Sequence, residues 1–232
     1  MKGSERAVEI PVGNIILHGD LALHTGSRGL VLFAHGSGSS RRSPRNRYVA
    51  RALQQADIAT LLFDLLTDAE ERIDQYTAEL RFDIDLLAFR LRAATDWVLG
   101  FDDLDPTGRL TPDELRLGYF GASTGAAAAL IAASTHRAIA AIVSRGGRPD
   151  LAGDALPLVA APTLLIVGDN DDVVIGMNQE ARARMNAETR LEIIPGASHV
   201  FEEPGALEEV ARLARMWFEQ HLGRKLESDY AA

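Results

Sequence analysis

The sequence predicts an α/β fold: a mostly parallel sheet with an antiparallel N-terminal hairpin and helices on both faces. Three observations carry this. From Gly29 onward, short apolar runs alternate with helical segments. Those runs are continuous in Val, Ile and Leu, as strands buried on both faces are, where a half-exposed strand would alternate. The opening residues differ, reading as two strands that turn at Gly13-Asn14.

Taken in order, the hairpin spans 7–11 and 15–23, and the first parallel strand is 30–34, LVLFA. A helix over 47–55 leads to a strand at 59–64, ATLLFD. A long helix follows over 82–99, with Ile84, Leu87, Leu91, Ala94 and Val98 on one stripe. The segment 102–113, DDLDPTGRLTPD, reads as an acidic surface loop. A strand from Leu117 to Phe120 then runs into an alanine-rich helix. Further strands are expected at 138–144, 162–167 and 191–194, with helices at 177–185 and 206–221. No repeat or linker divides the chain, so residues 1–232 are expected to form one domain. The 17 residues from 145 to 161 are too few for a lid domain.

Composition removes several function classes. The chain has no cysteine, hence no disulfide framework, thiolate metal site or cysteine nucleophile. No metal or other cofactor is called for by any motif. A formal charge of -9 argues against nucleic acid as a partner, because phosphate backbones need a basic face. The N-terminus lacks the apolar core of a signal peptide, and no apolar run approaches the ~18 residues that span a bilayer. A cytoplasmic protein without a membrane partner is the expectation.

The chemistry centres on Gly121-Ala122-Ser123-Thr124-Gly125, set between a strand and the Ala126 to Ala129 run. This is the form of a nucleophile elbow, in which a serine sits on a sharp strand-to-helix turn. Gly121 and Gly125 supply room for the strained serine, and the alanines let the helix approach the sheet. The helix N-terminus then points N–H groups at negative charge near Ser123. The bland alternative is a serine that only caps the helix.

A serine hydroxyl needs a base and an orienting acid. In the order Ser, acid, His, the loop Gly168-Asp169-Asn170-Asp171-Asp172 follows one late strand, and Pro195-Gly196-Ala197-Ser198-His199 follows the next. Each spacing leaves room for one strand–helix unit. Among six histidines only His199 follows a late strand in a small-residue loop. His18 and His24 fall in the hairpin, and His136 and His221 near helix ends. For the acid, Asp169, Asp171 and Asp172 crowd one turn; Asp171 is preferred, with Asp172 the alternative. The oxyanion of a tetrahedral intermediate needs two donors. One is the N–H of Thr124; the other is assigned to Ser37, in the glycine-rich loop His35-Gly36-Ser37-Gly38. That loop lacks the Gly-Lys-Ser/Thr ending of a phosphate-binding P-loop. His35 is expected to orient the loop by hydrogen bonding, and Gly36 and Gly38 to line the substrate path.

With these loops in view, the chain resembles the α/β-hydrolase superfamily, specifically the dienelactone-hydrolase-like group. The resemblance runs from Gly29 to Leu222 and is carried by LVLFAHGSGSSRRSPRNRYVA, GYFGASTGAAAAL, VSRGGRPDL, PTLLIVGDND and IPGASHVFEEPGALEEVARLA. It implies Ser123, Asp171 and His199 as a catalytic triad and a serine hydrolase of small esters or lactones, acting through an acyl-enzyme. Dienelactone hydrolases proper use a cysteine where this chain has serine, which favours a serine esterase. Members of the group also occur joined to a phosphoribosyltransferase domain, for which these residues leave no room. An acyltransferase using the same triad and a non-catalytic binding protein are the alternatives. A monomer or homodimer is compatible with either.

Arginines gather beside two of these loops: Arg41, Arg42, Arg45 and Arg47 after the oxyanion loop, and Arg145 and Arg148 after a later strand. An arginine fork suits carboxylate or phosphate, so Arg41, Arg145 and Arg148 are candidates to receive an anionic substrate group. The competing expectation is that they pair with the protein's own acids.

Overall fold

A computed structural model describes residues 4–23, 26, 27, 29–100 and 116–223 of the protein. His24 and the segment 102–113 lie outside the described residues. The strands are β1 (Ser4–Val12), β2 (Ile15–Leu23), β3 (Leu30–Ala34), β4 (Ala59–Phe63), β5 (Leu117–Ala122), β6 (Ile139–Arg145), β7 (Thr163–Gly168) and β8 (Thr189–Ile194). They form one sheet in the order β1-β2-β4-β3-β5-β6-β7-β8. The β1–β2 and β2–β4 pairs are antiparallel, and all later pairs are parallel. The helices are α1 (Pro44–Gln54), α2 (Asp68–Thr77), α3 (Ile84–Leu99), α4 (Thr124–Thr135), α5 (Asp172–Arg184) and α6 (Ala206–Leu222).

Alternation along each strand splits the core into two layers. On β3, Leu30, Leu32 and Ala34 join the residues of α3, α4 and α5, while Val31 and Phe33 join those of α1 and α6. The stripe on α3 buries Leu87, Leu91, Ala94 and Val98 as its period requires. Ala126 to Ala129 of α4 are fully buried, so this helix lies flat beneath the strand that leads into it. Tyr119 of β5 is also fully buried, and burial pushes its phenol up. Thr95 donates to Leu91 O at 2.9 Å, so Tyr119 O–H donates to Thr95 Oγ1 at 2.6 Å and fastens β5 to α3.

The segment between β6 and β7 folds into 3-10 turns over Pro149–Leu158, with no separate lid domain. Helix α1 begins at Pro44, three residues ahead of the pattern-based start, because Ser43 accepts from Asn46 N–H and proline suits the first turn. Helix α5 likewise begins at Asp172, five residues before the expected start at 177.

One element has no counterpart in the sequence-based expectations. Helix α2 buries only Asp74, so it has no apolar stripe to read. It is held by polar contacts. Thr67 and Glu70 form a reciprocal capping box. Asp74 accepts from the N–H groups of Leu80 and Arg81 and from Arg81 Nε at 2.5 Å. Glu70 receives a bidentate fork from Arg90 at 2.8 and 2.5 Å, and Arg90 also donates to Leu65 O at 2.7 Å. These partners hold both carboxyls below the usual range despite their desolvation.

Arg90 is 4% exposed, so removing Glu70 would strand a buried charge and open the capping box together. Glu70→Ala is expected to lower stability by about 2–4 kcal/mol in urea titration. A change below about 0.5 kcal/mol would show that α2 is held by something else.

Candidate active site

The loops that carry the candidate residues all leave the C-terminal ends of parallel strands, which places them on one rim of the sheet. Ser123 stands between β5 and α4 with φ 50 and ψ -121, a conformation that costs a side-chain-bearing residue of order 1–3 kcal/mol. Three backbone hydrogen bonds maintain it. Ser123 N–H donates to Arg145 O at 3.2 Å, and Ser123 O accepts from Ala126 and Arg148 N–H, each at 3.1 Å. Both flanking glycines are required by close approach. A Cβ at Gly125 would enter the carbonyl oxygens of Ala34 and His35, and one at Gly121 would enter the Ala126 backbone.

His199 Nδ1 lies 2.7 Å from Asp171 Oδ2. Of the three crowded aspartates it is Asp171 that meets the imidazole, while Asp172 opens α5. The acid loop and the histidine loop are laced together: Asp169 N–H donates to Ile194 O at 3.0 Å, Asn170 N–H to Ala197 O at 3.0 Å, and Asn170 Nδ2 to Gly196 O at 2.8 Å. The His199 side chain keeps 42% of its surface exposed, so its free edge is open to a substrate.

The turn after β6 links this pair to the serine. Arg145 and Arg148 bind the Ser123 backbone, and between them Gly146 lies so close to His199 that an added Cβ would be 3.5 Å from Cε1 and 2.9 Å from the carbonyl oxygen. Serine and histidine therefore flank one four-residue turn. That turn is braced from α5 by Asn178, fully buried, whose Nδ2 donates to Gly147 O at 3.0 Å. Sequence reasoning missed Asn178; the available signal was an asparagine within a helix, where it is unfavourable unless it binds backbone.

The glycine-rich loop after β3 approaches from the other side. A Cβ on Gly36 would stand 3.1 Å from Ser123 Cβ. Among the described residues, the N–H groups of Ser37 and Thr124 have no backbone acceptor. Gly38 turns the loop at φ +67. His35 fixes it from beneath. Its Nε2 accepts from Leu65 N–H at 3.0 Å, so the proton sits on Nδ1, which donates to Gly36 O at 3.0 Å. Burial pushes the His35 pKa down, which keeps this neutral tautomer.

The arginines separate into two groups. Arg148 forks onto Asp150 at 2.9 and 2.8 Å. Arg41 pairs with Asp64, and Arg47 reaches Glu5 at 2.7 Å and Asp20 at 3.2 Å. A recess of about 490 Å³ beside the glycine-rich loop after β3 contains Arg41, Arg42, Asp64, Asp68 and Glu71, so cations and carboxylates share its wall. Arg145 differs: it is buried, and its Nε and Nη1 have no hydrogen-bond partner.

No family model matches the chain. The crystal structure of a dienelactone hydrolase from Anabaena variabilis superposes with a TM-score of 0.90 and 56% identity, over 95% of this chain and 99% of that one. The chain belongs to the dienelactone-hydrolase-like group of α/β-hydrolases. A Mycobacterium tuberculosis protein named, provisionally, as a phosphoribosyl transferase is 52% identical over 219 residues, 94% of this chain. The match takes in 47% of that protein, so the chain spans about half the length of the curated relatives it matches. The esterase Est1E of Butyrivibrio proteoclasticus shares the fold at a TM-score of 0.73 and 16% identity, over 93% of this chain and 98% of that one. Among the described residues of this α/β-hydrolase, no helix is long and apolar enough to cross a membrane.

The neutral His35 makes stability depend on pH. Its folded pKa lies below the ordinary 6.5, so the unfolded chain binds the extra proton as pH falls below that value. Stability is then lost between the unfolded pKa and the lower folded one, with a slope of up to about 1.4 kcal/mol per pH unit. Urea titrations between about pH 5 and 6.5 should show stability falling with acid, and a flatter dependence in His35→Gln. An unchanged slope in the variant would remove His35 as the source.

Proposed function

We propose that the protein is a serine-dependent carboxylic ester hydrolase that cleaves small esters or lactones through an acyl-enzyme. The observation that carries this is the Asp171–His199 contact at 2.7 Å, on a rim where one turn adjoins both His199 and the strained Ser123. Hydrolases and esterases among the structural neighbours support hydrolytic chemistry at such a site.

In the proposed reaction His199 Nε2 takes the Ser123 proton as Oγ attacks the acyl carbon. The negative charge moves to the former carbonyl oxygen, where the N–H groups of Ser37 and Thr124 receive it. Collapse breaks the bond to the alcohol, which leaves with the proton held by the imidazolium. Water then attacks the acyl-enzyme along the same path, releasing the acid and restoring Ser123. Asp171 accepts from Nδ1–H throughout, which fixes the tautomer and stabilises the imidazolium. No cofactor enters any step. The open imidazole and the short segment after β6 suit small or mobile acyl groups with no need for an oil–water interface. Where an alcohol outcompetes water for the acyl-enzyme, the same site would perform acyl transfer.

A panel of 4-nitrophenyl esters of increasing acyl length tests this reading. Activity should be greatest for short chains and vanish to background in Ser123→Ala. Asp171→Asn should reduce kcat by roughly 10³–10⁴-fold. Undiminished turnover in Ser123→Ala would overturn the proposal.

A further inference from the structure

The Ser37 N–H shares a planar peptide with the carbonyl of Gly36, and in a trans peptide the two point in opposite directions. Whatever holds Gly36 O therefore aims the Ser37 N–H. Two donors hold it, Ser39 N–H at 3.2 Å and His35 Nδ1 at 3.0 Å. The imidazole is fixed in turn, because its other nitrogen accepts from Leu65 N–H at 3.0 Å. Leu65 is fully buried, and its carbonyl accepts from Arg90 Nη1 at 2.7 Å. Arg90 is gripped by Glu70, whose two oxygens take Nη1 at 2.8 Å and Nη2 at 2.5 Å. Glu70 also closes the capping box that opens α2. A continuous series of bonded groups thus runs from the first turn of α2 to the peptide that carries the Ser37 N–H.

A second arm from α2 reaches the same loop. Asp74, the one residue that α2 buries, binds Arg81, whose Nη1 is 3.4 Å from where a Cβ on Gly38 would stand. A buried, fully paired cation such as Arg90 adds little net stability over an apolar side chain of similar volume. What the pair supplies, and an apolar contact would not, is direction: a bidentate fork fixes the guanidinium plane. We infer that Glu70 and Arg90 are positioning residues for the reaction, setting the Ser37 N–H toward the developing oxyanion through Leu65 and His35. Helix α2 is then the brace of that donor. This rests on the ester hydrolase reading and adds to it two residues outside the triad and its donors. An N–H turned off line loses strength steeply, and the charge it serves exists only in the transition state. Damage to the brace therefore falls on kcat and leaves KM nearly unchanged.

Kinetics with 4-nitrophenyl acetate on Arg90→Met and Glu70→Gln test the inference, with Asp83→Ala as the control. Asp83 caps α3 by accepting from Leu86 N–H at 3.0 Å, so its loss weakens the helix that carries Arg90 without touching the series. Removing an oxyanion donor costs roughly 10²–10³-fold in kcat, and misdirecting one should cost less: about 10–50-fold in Arg90→Met and about fivefold in Glu70→Gln, with KM within about twofold. Asp83→Ala should keep the wild-type kcat. Phenylboronic acid gives a readout that a merely structural role would not move. Its boron takes an electron pair from Ser123 Oγ and places a bound oxygen where the oxyanion would lie, so its inhibition constant should rise by the factor that kcat falls. Hydrogen exchange in the peptide 33–40 should quicken in both variants. Exchange reads the brace without turnover, so a wild-type protein inactive toward every ester defeats the hydrolase reading while exchange still decides the brace. Glu70→Gln decides the matter if Arg90→Met does not fold. Unchanged kcat, boronate inhibition and exchange in these variants, or an equal loss of kcat in Asp83→Ala, would overturn the inference.

Discussion

The strained backbone at Ser123 is the constraint on which the rest of the molecule depends. A serine at φ 50 and ψ -121 relaxes unless its surroundings hold it, and here they do so from three directions. The β6 turn supplies a carbonyl and an N–H, α4 supplies a second N–H, and the end of β3 closes against Gly125. Each support traces to packing farther down. Four buried alanines let α4 lie under the sheet, Tyr119 ties β5 to α3, and Asn178 braces the turn after β6. The hydroxyl is thus placed on the rim by the core itself, and on the proposed reading it needs no reorganisation when a substrate arrives.

Charge is distributed around that point in an uneven way. The protein as a whole is acidic, yet among the described residues the buried Arg145 after β6 has no carboxylate partner, while Arg41 and Arg42 share a recess beside Gly38 with Asp64, Asp68 and Glu71. A neutral His35 adds no charge there and bridges Gly36 O and Leu65 N–H. On the proposed reading, negative charge arising on the carbonyl oxygen is met by the amide dipoles of Ser37 and Thr124.

Much of this was legible in the sequence because it rests on local patterns. Continuous Val/Ile/Leu runs mark strands buried on both faces, and the sheet bears out the α/β class and the antiparallel hairpin at its edge. Glycines at 121 and 125 signal close approach, and the structure gives each a specific obstacle. Illegible features depend on partners distant in sequence. Helix α2 lacks an apolar stripe because Arg81 and Arg90 hold it through carboxylates, although Thr67-x-x-Glu70 is a capping signature that could have revealed it. Which of six clustered arginines are ion-paired depends, apart from the local Arg148–Asp150 pair, on Glu5, Asp20 and Asp64, far from their partners in the chain. No spacing rule predicts that.

The most direct measurement of the central claim is intact-protein mass spectrometry after exposure to a fluorophosphonate, followed by peptide mapping. One phosphonyl group should be added, on the peptide containing Ser123, and its rate of addition should collapse in His199→Ala. A protein that stays unlabelled, or is labelled at another serine, would contradict the assignment of Ser123 as an activated nucleophile.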